Sequence, residues 1–193
     1  MRIFILLITF IALQSLNCGT NDSGSEFPKL VFRQDMTLLS SPNAFDKLSL
    51  SIPIGFEKLS PDKYLSIEKK FETEDDNYFK LDLLSIYQHS GGQVIFISKI
   101  VETKPIYQAL NNDYELGLIE TLNASDTNKG QFLINNNEAV QYITTNDRFV
   151  NYRLFYNVKR SNCFLIDYFV PKQTFSNFQL SLETSISTIS IKN

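Results

Sequence analysis

Four strand-like runs in succession, between positions 130 and 171, limit what this chain can fold into more than any other feature. "GQFLI" and "EAVQYITT" flank Asn135-Asn136-Asn137, and a short asparagine-rich break between apolar runs is a hairpin signal. "FVNYRLFYNV" places Val150, Tyr152, Leu154, Tyr156 and Val158 two apart, the period that puts side chains on one face of a strand. "KRSN" then turns the chain into "CFLIDYFV". Connections this short join only antiparallel neighbours, so the segment predicts a four-strand meander. Its apolar face has to be covered by something else in the chain.

Helical spacing supplies the cover. Thr103 and Pro105 mark a helix start, and Tyr107, Leu110, Tyr114 and Leu118 trace one face as far as about Leu122. The final segment, "TFSNFQLSLETSISTISI", is rich in β-branched residues. Yet Phe175, Phe178, Leu182, Ile186 and Ile189 recur three and four apart, which predicts a helix. Pro171 precedes it and Thr174 is the candidate N-cap. Phe178, Leu182 and Ile186 should face the sheet, with Glu183 and Ser187 facing water. A shorter helix is predicted over "SPDKYLSIEKKF", with Ser60 as N-cap, Pro61 at the first helical position, and Tyr64, Ile67 and Phe71 on one side.

The remaining segments read as strands. "KLSLSIPIGFEKLSP" alternates Leu48, Leu50 and Ile52 with Ser49 and Ser51, a half-buried strand closed by Pro53 and Gly55. "FKLDLLSIYQ" and "QVIFISKIV" pair through "HSGG", the second apolar enough to be central. Residues 27–45 read as a lead-in lying against the domain. The class is therefore α+β, a central, mainly antiparallel sheet flanked by helices. "LSLSIPIGFEKL", "YRLFYNVKRSNCFLIDYFVP" and "FSNFQLSLETSISTI" together resemble the PsbP-like family over roughly residues 45–191. Phe56 stands where that family commonly has tryptophan. The resemblance implies a sandwich shared by a photosystem accessory protein, a Ran-binding import factor and bacterial envelope lipoproteins, and accessory or partner-binding roles.

The first residues carry an address. Arg2 is followed by an apolar run from Ile3 to Leu13, too short to span a bilayer, which takes about 20 residues, but suited to a secretory signal. Ser15-Leu16-Asn17-Cys18 resembles the lipobox of bacterial lipoproteins, with Leu16 one place late and Asn17 in place of the usual small residue. That resemblance implies cleavage between Asn17 and Cys18 and acylation of Cys18. "GTNDSGSE" then reads as a flexible tether. The organisation expected is a signal peptide at 1–17, lipidated cysteine, tether and lead-in at 18–44, and one domain at 45–193.

Without Arg2 the chain keeps 17 Lys+Arg against 21 Asp+Glu, a formal charge of −4. No basic block is present in sequence, so no nucleic acid is expected as a partner and no anionic membrane face is an obvious one. With Cys18 acylated, Cys163 has no disulfide partner and is expected to be a small buried hydrophobe. The one histidine, His89, lies in "YQHSGGQ" without His or Cys at ligand spacing, and reads as an exposed turn residue. "ETEDDN" lacks the glycine and distal glutamate of a calcium loop and reads as a solvated acidic turn. Asp167 is expected on an exposed face, near Arg153 if their strands pair, as a cross-strand ion pair worth ~0.2–1 kcal/mol. No nucleophile or phosphate-loop motif is present. No catalytic residue, metal or cofactor is expected. The function expected is a non-enzymatic, lipid-anchored binding or assembly module of the bacterial cell envelope, with an envelope protein as partner. The alternatives are an envelope hydrolase using scattered carboxylates and a surface lipoprotein binding a host or environmental macromolecule.

Overall fold

The computed structural model describes residues 27–73, 78–101, 106–160 and 162–192, with side chains throughout except at 68–73. Asn17, Cys18, Thr103, Pro105 and residues 74–77 lie outside the described residues. In chain order the strands are β1 (Leu39–Phe45), β2 (Leu48–Pro53), β3 (Phe56–Lys58), β4 (Leu81–His89), β5 (Val94–Ile100), β6 (Asp126–Ile134), β7 (Asn137–Thr145), β8 (Phe149–Tyr156), β9 (Phe164–Pro171) and β10 (Ser190–Ile191). The helices are α1 (Pro61–Thr73), α2 (Asn112–Leu122) and α3 (Phe175–Ser187).

The meander forms β6 to β9 of a seven-stranded antiparallel sheet, ordered β3-β4-β5-β9-β8-β7-β6. Ile134 pairs with Asn137, leaving Asn135 (φ 46) and Asn136 (φ 65) as the loop. Two left-handed residues match the twist of a tight hairpin, and asparagine tolerates that conformation. β5 sits between β4 and β9, as its apolar sequence requires. Val150, Tyr152, Leu154 and Tyr156 share one face, but Val158 does not. Asn157 turns the chain with φ 69, which carries Val158 to the opposite cluster with Phe155 and Cys163.

α3 is a helix, so spacing wins over β propensity. Leu182 and Ile186 are buried against Tyr152, Leu154 and Ile166. Two expectations about α3 fail. Thr174 makes no side-chain cap; its hydroxyl donates to the Pro171 carbonyl and accepts from Gln93 Nε2. Glu183 does not face open water: both its oxygens accept from Arg33, at 3.0 Å each, and its side chain is 19% exposed. The other face of the large sheet is covered by α2, with Tyr114 and Leu118 against Val140, Tyr142 and Leu165. α2 starts later than its spacing suggests, because Asn111 caps it by accepting from the Tyr114 amide. A 3-10 turn, Ile106–Ala109, takes the place of the missing first turns.

β2 is not half-buried. It lies between β1 and β10 in a second, three-stranded sheet, and all six of its residues are buried. α3 and its C-cap tie this strand in through the Ser51 backbone. The Ser51 amide donates to Thr188 Oγ1 (2.9 Å), and the Ser51 carbonyl accepts from Ser185 Oγ (2.6 Å). The lead-in contains β1, an added strand of that sheet, and it does lie against the domain. Phe27 is buried, Leu133 N–H donates to Pro28 O, and Leu30 N–H donates to Leu133 O.

The Arg33–Glu183 pair makes the docking of this lead-in pH-dependent. The hydrogen bond from Arg33, with help from Gln179, outweighs partial burial and holds Glu183 below the usual glutamate range. A depressed carboxylate stabilises the fold above its unfolded pKa of about 4.3, and that stabilisation disappears as pH falls through the lower folded value. Stability measured from pH 7 downward should fall only slightly through this pair, since Arg33 is exposed and solvent screens it. The loss should be absent in Glu183→Gln.

Candidate functional site

Two polar groupings stand out, and the sequence anticipates only the first. β8 and β9 put Arg153 directly opposite Asp167. Arg153 Nε donates to Asp167 Oδ1 at 2.9 Å, and Nη2 donates to Oδ2 at 2.9 Å. Nη1 donates to the Tyr114 hydroxyl at 2.9 Å, tying the pair to α2. Asn151 Nδ2 also donates to Asp167 Oδ1, at 3.3 Å. Asp167 is therefore not on an exposed face: only 5% of it is accessible, because α2 roofs that side of the sheet. Burial opposes the Arg153 charge, but Asp167 and Tyr114 outweigh it and hold the guanidinium above its ordinary value. With both carboxylate oxygens accepting from one guanidinium, the pair is a clamp between strand and helix.

His89 is half-buried rather than exposed. It ends β4 with its ring 5.3 Å from that of Phe56 and its Nδ1 accepting from the Gly91 amide at 2.9 Å. Gly55 (φ +87) abuts the imidazole so closely that a Cβ there would sit 2.9 Å from it. His89 thus organises a turn. Cys163 is buried as expected, and burial pushes its thiol well above the ordinary range. Thiol reagents should label the folded protein slowly and the denatured protein fast; equal rates would contradict the buried assignment. Among the described residues no group of three or more His, Cys, Asp or Glu is placed to hold a metal ion.

The second grouping is a pocket at the end of the sandwich where hairpin tips from both sheets meet. The β1–β2 turn contributes Lys47, the β6–β7 hairpin Asn135 and Asn137, and the β8–β9 connection Asn157, Arg160 and Asn162. Ile191 and Lys192, at the end of β10, complete it. The Lys192 amide donates to Lys47 O at 2.7 Å. Asn135 Nδ2 donates to Ile189 O at 2.7 Å, and Asn157 Nδ2 to Asn162 O at 2.9 Å. Asn137 Nδ2 donates to the Tyr156 hydroxyl at 2.9 Å. These amide nitrogens thus brace the fold, leaving the amide oxygens of Asn135 and Asn137 as acceptors.

Charge is concentrated here. Among the described residues none of Lys47, Arg160 and Lys192 takes part in an ion pair. Asp46, beside Lys47, is engaged by Lys99 at 2.8 Å, and chiefly that bond holds its carboxyl below the usual range. Beneath the pocket, Asn157 Oδ1 is buried with no hydrogen-bond partner, a condition that costs about 1–3 kcal/mol. Sequence reading misses this site because its cations stand at positions 47, 160 and 192 and meet only through sheet topology. The asparagines carried the one local signal, and turn geometry alone accounted for it.

No protein-family model matches the chain, and no curated protein matches it.

Proposed function

We propose that the protein is a lipid-anchored component of the bacterial cell envelope acting as a non-enzymatic binding module, with the cationic, asparagine-rich pocket as its binding surface. The observation that carries the choice of this pocket is where the chain enters the fold. Phe27 lies 5.6 Å from the Tyr107 ring, and Lys159 sits 4.7 Å above the Phe27 ring. Lys159 adjoins Arg160 of the pocket. An acylated Cys18 would thus hold the pocket end within about 30 Å of its membrane, nine residues at ~3.3 Å each. The pocket offers positive charge and carbonyl acceptors, a set suited to an anionic ligand. The PsbP-like resemblance implies the same accessory kind of role.

The test is acylation in the cell. Cys18→Ala should abolish incorporation of labelled fatty acid and release or misprocess the protein. Label still entering the Ala variant would overturn the anchor.

A further inference from the structure

We infer that the pocket receives the phosphate of an anionic lipid headgroup, so that the domain rests on its anchoring membrane by the hairpin-tip end. The inference rests on the lipid-anchored reading and adds to it an occupant and an orientation. Three cations from separate segments line one pocket, without ion pairs among the described residues, and together they suit an anionic group. A phosphate diester between Lys47, Arg160 and Lys192 meets that need. The asparagines add a second requirement. Asn135 and Asn137 direct their amide nitrogens to Ile189 and Tyr156, so what remains for a ligand is a pair of carbonyl acceptors. A bare anion cannot donate to them, whereas a headgroup bearing hydroxyls beside its phosphate does both.

Location selects a lipid rather than a free phosphate ester. The lead-in meets the fold at this end, as the contact between Phe27 and Lys159 fixes. Asn135 also borders a neighbouring groove that includes Leu30 and Val31. Val31 is 86% exposed. Apolar side chains flanking cations suit the boundary between headgroups and acyl chains. The mature chain is acidic overall, so an anionic surface repels most of it, and attraction is confined to within about 8 Å of the cationic end. Each lysine or arginine at such a surface strengthens association about fivefold. An acidic domain on a short tether is thereby oriented as well as held.

The experiment uses the processed protein purified from membranes and bound to two kinds of vesicle: phosphatidylcholine alone, and phosphatidylcholine mixed with phosphatidylglycerol. Flotation reports the anchor, and the rate of amine modification at Lys47 and Lys192 reports the pocket. Lys172, beyond the opposite end of β9, is the internal control. The expected result is flotation on both vesicles, with Lys47 and Lys192 at least about fivefold slower to react on the mixed ones. Lys172 should be unchanged. Lys47→Glu/Lys192→Glu should still float, with Arg160 no longer protected from a guanidine reagent by the mixed vesicles. Equal rates on both vesicles would overturn the headgroup assignment while leaving the anchor standing. Failure to float on phosphatidylcholine alone would count against the anchor instead. Protection by dissolved glycerol 3-phosphate without any from vesicles would make the ligand a free phosphate ester and overturn the lipid as its source.

Discussion

Asp167→Ala is expected to destabilise the domain by about 3–5 kcal/mol, because it leaves the Arg153 guanidinium buried without its counter-charge. Only the Tyr114 hydroxyl, a neutral partner, would remain on Nη1. The sequence places the pair at the level of an exposed cross-strand contact, ~0.2–1 kcal/mol, so the two accounts differ several-fold. A double replacement, Arg153→Met with Asp167→Leu, separates burial of an orphan charge from loss of the pair. Replacing a buried pair by apolar residues of similar volume is often neutral, so the double variant should be much more stable than Asp167→Ala. Urea melts of the three proteins measure this. A single-variant loss under ~1 kcal/mol would mean that solvent reaches the clamp and screens it.

Leu182→Ala is the second large effect. Leu182 is fully buried between α3 and the sheet, among Tyr152, Leu154 and Ile166. Removing a buried leucine side chain costs about 2–5 kcal/mol, with the cavity term setting the position in that range. Ser187→Ala, at the half-buried end of the same helix, should stay within ~0.5 kcal/mol. The comparison is informative because β-branched residues crowd this segment. An alanine scan from 178 to 189 should peak at Leu182, Ile186 and Ile189, spaced four and three apart. Peaks at alternate residues would contradict the helix.

Both large effects follow from features of unequal legibility. The meander was readable because its strands are joined by a two-residue asparagine loop and by "KRSN", so local sequence fixes who pairs with whom. α3 was readable because one stripe recurs with helical spacing. What was not readable depends on segments far apart in the chain. The serines of β2 look like a wet face, and are buried because α3 packs on that strand, with Ser185 and the following Thr188 bonding the Ser51 backbone. Asp167 looks exposed as a lone charge interrupting an apolar strand until α2 covers it. Glu183 looks solvated until Arg33, 150 positions away, reaches it. Val158 keeps strand parity in sequence and loses it to one left-handed residue, Asn157. The cationic pocket is the extreme case, since no two of its charges share an element.

All of the functional reading depends on Cys18, which lies outside the described residues. The most direct measurement is the mass of the N-terminal peptide of the protein taken from the membrane fraction. The account predicts a peptide that begins at Cys18 and carries acyl chains on its cysteine. A peptide that begins elsewhere, or one whose Cys18 has the mass of a free thiol, would contradict it.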